Sequence, residues 1–130
     1  MSKFLDTVYR VTLVNRAAKQ GADLAKEAYF SLCNLIGTEP TVEVEKEKRE
    51  FVTRASMHAV QAHAAAARAL REFADWTNES GVLFDDDNVT KSRGLLMLVK
   101  DTEAEAERAM AIATRVLDVY GLHTYTEIKL

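Results

Sequence analysis

The chain has 130 residues, with 17 Lys and Arg against 20 Asp and Glu, and a formal net charge of −3. That length fits one domain, residues 1–130, and a hydrophobic fraction of 48% is too high for a disordered chain. A single cysteine excludes a disulfide framework and a cysteine-based zinc cluster. The acidic balance argues against a protein that coats nucleic acid.

The sequence also bears on membranes and compartment. A membrane-spanning helix needs roughly 18–20 apolar residues, and the longest aliphatic run here is Leu95–Val99. Asp6 and Arg10 interrupt the apolar core of any secretion signal. We therefore predict a cytoplasmic protein with no membrane partner, in which a lone reduced Cys33 is ordinary.

The first predicted helix runs from about Ser2 to Ile36. Its apolar side chains recur at alternating spacings of three and four, which gathers them on one stripe of a helix. The stripe contains Phe4, Val8, Val11, Ala18, Ala22, Ala25, Tyr29, Leu32 and Ile36, with Asn15 in one slot. Gly37 is the predicted stop. Gly21 is predicted to be a weak point, costing about 1 kcal/mol relative to alanine.

The second predicted helix runs from about Thr41 to Glu79, with Pro40 in its first turn and Thr38 as its cap. Its inward stripe has the same alternating spacing and contains Val52, Ala55, Ala59, Ala62, Ala66, Ala69, Phe73 and Trp76. Glu, Lys and Arg alternate over residues 43–50 and predict a solvated helix face, the alternative being a docking surface.

The third predicted helix begins near Val89 and closes at Gly121. Its stripe contains Leu95, Val99, Thr102, Ala106, Ala109, Ala113, Val116 and Tyr120. In an alternative interpretation, Leu95–Val99 and His123–Leu130 are short strands around a helix that Thr102 caps. One long helix is favoured because a two-stranded sheet is marginal. A short fourth helix after a break near Lys100 and a C-terminal β-arm from Leu122 both stay open.

Alanine accounts for 19 of the residues and crowds all three stripes. Small side chains let helix axes approach closely, so the fold class is all-α, an antiparallel up-down bundle of three long Ala-rich helices. Between Ala62 and Ala69, alanines surround the second helix on nearly every side. Either neighbours cover this helix on more than one face, or alanine is present for its helix propensity. The first interpretation predicts a partner helix from another chain and hence a homodimer.

The search for reactive groups finds little. His58 and His63 are five residues apart, so they cannot grip one metal ion from a helix. The run Asp85–Asn88 lacks the glycine and glutamate that complete a calcium loop. Phosphate-binding glycine motifs are absent from the sequence. We predict no catalytic residue, no metal and no cofactor.

An alternative function uses the acidic helix faces or a histidine. Glu103 and Glu107 are four apart, and three acids share a face of the second helix, namely Glu72, Asp75 and Glu79. Converging carboxylates could hold magnesium. The mid-helix His63 could carry a phosphoryl group. The alternative is therefore a small helical enzyme or phosphotransfer protein that acts on a nucleotide or phosphoryl group.

The favoured function is a non-enzymatic protein–protein interaction module: a small adaptor, regulator or inhibitor that presents a helical surface. Nucleic acid is not the expected partner because glutamates dilute the basic residues near Lys46 and no aromatics are interleaved with them. Interfaces favour aromatic anchors, so the predicted contact residues are Trp76, Leu83, Phe84 and Tyr125. Alternatively, Trp76 and Phe84 plug the end of the bundle.

Overall fold

The computed structural model describes the backbone of residues 3–80 and 86–129, and the side chains of residues 3–79 and 88–121. Three helices account for most of this chain: α1 (Lys3–Leu35), α2 (Val42–Ser80) and α3 (Asp86–Lys129). At 1.5 Å per residue they are roughly 50 to 66 Å long. Each helix packs against both others, and the described residues contain no strand. The predicted all-α fold of three helices is confirmed.

The turn between α1 and α2 follows from a few residues. Gly37 has φ +95°, a left-handed conformation that glycine adopts without steric cost, and it ends α1 as predicted. The predicted cap at Thr38 is wrong, because its hydroxyl donates to the carbonyl of Leu35. Thr41 caps α2 instead: its Oγ1 accepts a hydrogen bond from the Val44 amide at 3.1 Å.

The third helix is one continuous element. The fourth helix after a break near Lys100, the strand at Leu95–Val99 and the β-arm from Leu122 are therefore wrong, and so is the predicted stop at Gly121. A single glycine costs only about 1 kcal/mol in a helix interior, and Gly121 lacks the positive φ that marks the stop at Gly37.

Thr102 explains why the strand–helix alternative fails. Its hydroxyl donates to the carbonyl of Leu98 at 2.8 Å, four residues back, as happens inside a helix rather than at its start. Leu95 and Val99 are buried on the same inward stripe. The capping-box pattern at Thr102 is therefore not used.

The core consists of the predicted stripes and is dominated by alanine. The larger of two clusters joins all three helices and contains Ala18, Ala22, Ala28, Leu32, Ala55, Ala59, Ala62, Ala65, Ala66, Ala106, Ala109, Ala113 and Val116. The smaller cluster fills one end with bulkier groups: Val11, Ala69, Trp76, Leu95 and Val99. Small side chains therefore line the contacts between the helices along most of the bundle, and larger side chains fill one end.

Gly21 lies at a point of close approach between α1 and α2. A Cβ atom at this position would lie 3.0 Å from the carbonyl oxygen of His58 and 3.4 Å from the Cβ of Ala62. Because a backbone carbonyl cannot move aside as a flexible side chain can, alanine does not fit here without a shift. The glycine that the sequence suggested was a weak point thus lies in a tight contact, where an added methyl group requires the backbone of α2 to give by a few tenths of an ångström.

A small polar cluster joins α1 to α3. The Asn15 side chain is buried, and its Nδ2 donates at 2.9 Å to Asp101 Oδ2 and at 2.9 Å to Thr102 Oγ1. Lys19 Nζ lies 3.3 Å from the same Asp101 oxygen. The hydrogen bond from Asn15, followed by Lys19, lowers the pKa of Asp101. Two amide hydrogens thus meet two acceptors, which fixes the register of the two helices.

Lys48 is an exception to the predicted solvated face. Its side chain is only 1% exposed, and its Nζ lies 3.0 Å from Glu45 Oε1. Position 48 falls four residues before Val52 and so extends the inward stripe of α2 by one turn. The prediction that residues 43–50 form a solvated face is therefore wrong at this position.

Candidate functional site

The structure places Trp76 in the core. It is 4% exposed, and its ring centroid lies 5.3 Å from that of Phe4 on α1. Leu95 and Val99 of α3 belong to the same cluster. This position is the one expected of a plug at the end of the bundle.

The other predicted contact residues are not described in full. Leu83 and Phe84 lie outside the described residues, and Tyr125 lies on α3 with its side chain outside them. The structure therefore does not bring the four predicted residues together. Their role in binding a partner stays a prediction.

Titratable side chains do not converge in the described part of the chain. No group of three or more His, Cys, Asp or Glu residues there could hold a metal ion. Glu72, one of the acids considered for magnesium, accepts a 2.8 Å hydrogen bond from Arg10 Nε. His63 is exposed on α2, and His58 Nδ1 lies 3.3 Å from Gln61 Oε1. The most distinctive features are instead two surfaces.

The first surface is an outer seam on α2, facing away from the core. Its six residues are all exposed, and they are Thr53, Met57, Val60, Ala64, Ala67 and Arg71. Their spacings alternate between four and three, the pattern of positions a and d in a coiled coil. Val60 is 65% exposed. One helix thus carries two heptad-spaced faces, of which the bundle covers only one.

A hollow interrupts the outer seam. It has a volume of about 530 Å³ and is lined by Ala64, Ala67, Arg68, Arg71 and Glu72. The first four of these stand at positions i, i+3, i+4 and i+7, which is the diamond that receives a knob in coiled-coil packing. Met57 and Val60 form a ridge beside the hollow. The seam therefore offers both a knob and a hole.

A shorter exposed apolar stripe lies on α1 and contains Leu5, Tyr9 and Leu13. Successive residues of this stripe are four positions apart, so each lies about 40° further around the helix than the one before. The stripe therefore curves around α1 and cannot stay in contact with a straight partner helix. The outer seam of α2 stays in line over a greater length. It is therefore the better candidate for helix-on-helix packing.

The second surface is a groove between α1 and α3, which we name the Phe30 groove. It has a volume of about 300 Å³ and is lined by Lys26, Tyr29, Phe30, Arg108, Ile112 and Arg115. Lys26 Nζ lies 5.8 Å from the Phe30 ring centroid, and the Arg115 guanidinium lies 5.7 Å from that of Tyr29. Such distances are typical of cation–π contacts.

Arg108 forms one wall of the Phe30 groove and is held in place by two acids. Its Nη2 lies 2.9 Å from Asp23 Oδ1 and 2.8 Å from Glu105 Oε2. The hydrogen bond to Asp23, followed by that to Glu105, raises the pKa of Arg108. The two acids more than balance its charge, so the positive character of the groove comes from Lys26 and Arg115.

Sequence reasoning missed the Phe30 groove because its two halves stand on helices far apart in the chain. The basic residues considered from sequence had no aromatic neighbours, whereas the fold brings Arg108 and Arg115 beside Tyr29 and Phe30. The outer seam of α2 could have been found, because its spacing is visible between Thr53 and Arg71.

Comparisons with known proteins add no family: no protein-family model, no curated protein and no solved structure matches this chain. Among the described residues, none of the helices combines the length and apolar character needed to cross a membrane.

Proposed function

We propose that the protein is a non-enzymatic interaction module that pairs with a second copy of itself through the outer seam of α2. The observation that supports this proposal is the second heptad-spaced face on a helix whose first face already fills the core. As an adaptor, regulator or inhibitor it would present the remaining helix faces to another protein. Its cytoplasmic location stays a prediction.

The bundle itself has an up-down-up topology in this proposal. Two contacts support an antiparallel arrangement of α1 and α2. Arg10 bonds Glu72, and Gly21 lies against Ala62, so residue numbers decrease along α2 as they increase along α1. Helices α1 and α3 instead run in the same direction, because Asn15 bonds Asp101 and Asp23 pairs with Arg108. The outer seam then lies on the side of α2 opposite the other two helices.

Pairing of two copies follows from the shape of the outer seam. In an antiparallel pair with its twofold axis level with Ala62, Met57 faces Ala67 of the partner subunit. Val60 then faces Ala64 of the partner subunit. The knob of each copy enters the hollow of the other, as an isologous interface requires.

Charges at the rim of this pairing are mixed. Glu50 lies within one helical turn of Arg71 of the partner subunit, and Lys46 lies within one turn of Asp75 of the partner subunit. Arg54 approaches Arg68 of the partner subunit, and this repulsion weakens the pair. Alanines also bury little area each, so the dimer is expected to dissociate on dilution.

Sedimentation equilibrium tests the proposal on the whole chain. The wild type is expected to reach twice the 14.5 kDa mass of one chain with rising concentration. Val60→Glu should be a monomer because it buries a charge at the seam. Met97→Glu is the matched control, since Met97 is 72% exposed on α3, and this variant should dimerise like the wild type.

Two results would contradict the proposal. A wild-type chain that remains a monomer at high concentration rules out self-pairing, and a Val60→Glu dimer places the interface elsewhere. Circular dichroism melting curves of both variants establish that the bundle is folded in each sample. Hydrolysis of any nucleotide in the presence of magnesium would contradict the non-enzymatic part of the proposal.

A further inference from the structure

We infer that the Phe30 groove between α1 and α3 is a binding site for an acidic peptide segment that carries one large apolar side chain. This site lies apart from the outer seam of α2, and the inference does not depend on self-association. It rests on three properties of the groove: its apolar floor, the cations of its lining and its open shape.

The floor of the groove is apolar but reachable from solvent. Phe30 is 53% exposed, although it is one of the larger side chains of α1. Its ring centroid lies 5.7 Å from that of Tyr29, and Ile112 of α3 is partly buried beside them. Aromatic groups left at a surface are common anchors for partner side chains. A leucine or phenylalanine of a partner would fit this floor.

The walls select for negative charge. Lys26 and Arg115 stand over the two aromatic rings, and Arg108 stands between them and the acids Asp23 and Glu105. The two acids outweigh the single charge of Arg108, so Lys26 and Arg115 supply the positive character of the groove, and the five groups together carry a net charge of +1. The planar guanidinium of Arg115 suits a carboxylate, which can accept two parallel hydrogen bonds from it.

The shape of the groove favours a peptide over a small molecule or a nucleic acid. A small-molecule site encloses most of its ligand, whereas this groove of about 300 Å³ leaves half of Phe30 in solvent. A single-stranded nucleic acid needs a basic track that follows several nucleotides, whereas the lining of this groove holds three cations, one of which is already paired with acids. A peptide lying along the two helices can place carboxylates at Lys26 and Arg115 and one apolar side chain on Phe30.

Fluorescence anisotropy of the full chain with a labelled peptide tests this inference. The probe is a fluorescein-labelled peptide of glutamates around one central phenylalanine, measured at low salt. Arg115→Glu and Lys26→Glu should each weaken binding about tenfold, the effect of losing one charge-assisted contact. The matched control is Arg93→Glu, another exposed arginine of α3, which should bind like the wild type.

Peptide variants separate charge from apolar contact. Replacing each glutamate of the probe with lysine should abolish binding, and replacing its central phenylalanine with serine should weaken it. Phe30→Ala should remove this dependence on the central residue. Binding that is unchanged in Arg115→Glu, or equal for the lysine peptide, overturns the inference. So does tighter binding of a labelled single-stranded oligonucleotide that competes with the peptide. The fluorescence of Trp76, the one tryptophan of the chain, reports whether each variant is folded.

Discussion

The two interfaces that α1 makes differ in what holds them. Against α2, the contact is lined by Gly21 and alanines, and the carbonyl of His58 comes within 3.0 Å of where a Cβ would lie. Against α3, the contact includes a buried amide, Asn15, and the ion pair of Asp23 with Arg108. Apart from the ion pair of Arg10 with Glu72 at its surface, the first interface is thus set by the size of side chains, and the second by the direction of hydrogen bonds.

This difference explains how an Ala-rich bundle can adopt a single alignment of its helices. Alanines are nearly interchangeable along a seam, so a shift of one turn costs little by packing alone. The two hydrogen bonds from Asn15 are lost on such a shift, and a buried amide without a partner is costly. Steric closeness therefore sets the separation of the helices, and the polar cluster sets their alignment.

The largest expected effect is at the end that both interfaces share. Trp76→Ala should lower the free energy of unfolding by about 3–5 kcal/mol, because it leaves a cavity among side chains of all three helices. Chemical denaturation followed by circular dichroism measures this change. Tyr9→Ala, an exposed aromatic on α1, should change stability little. A Trp76→Ala protein that is as stable as the wild type would contradict the role of Trp76 as a plug.

Gly21→Ala tests the steric interface. The added Cβ meets a backbone carbonyl, so we expect a loss of about 1–3 kcal/mol despite the higher helix propensity of alanine. Gly94→Ala is the control, since nothing lies within 4 Å of its Cβ position, and it should gain up to about 1 kcal/mol. In thermal melting, the melting temperature should fall for Gly21→Ala and rise for Gly94→Ala. A gain in Gly21→Ala would show that the helices can separate at little cost.

Asn15→Ala tests the directional interface. It removes two hydrogen bonds, one of them to a carboxylate, and should cost about 1–2 kcal/mol. Thr102 still donates to the Leu98 carbonyl and Asp101 is half-exposed to water, so neither group is stranded. Asn34→Ala, an exposed asparagine of α1, should have almost no effect on the denaturation midpoint. If Asn15→Ala and Asn34→Ala have equal denaturation midpoints, the polar cluster does not set the alignment of α1 and α3.

The smallest effect concerns the charge of Asp101. Because its pKa is lowered in the folded state, its contribution to stability is present above about pH 4 and is lost as the pH falls through the folded-state pKa. Asp101→Asn keeps the acceptor for Asn15 but removes the charge. Its melting temperature should lie slightly below that of the wild type near pH 7 and match it in strong acid. Asp118→Asn, an exposed acid of α3, is the control.

The sequence predicted the three helices and their inward stripes because hydrophobic spacing is a local signal. It could not place the end of α3, since Gly121 only weakly disfavours a helix and no proline follows it in the sequence. It could not assign Asn15, whose partners lie 86 and 87 positions away. The sequence could not predict the Phe30 groove either, because its two walls lie on helices that are far apart in the chain. Lys48, by contrast, stands in line with Val52 and could have been assigned to the inward stripe.

The sequence separation of the Asn15 bonds also bears on the order of folding. During synthesis the hairpin of α1 and α2 can form before α3 is complete, whereas the contacts of α1 with α3 join residues that are far apart in the chain. Until α3 docks, the Asn15 amide is satisfied by water.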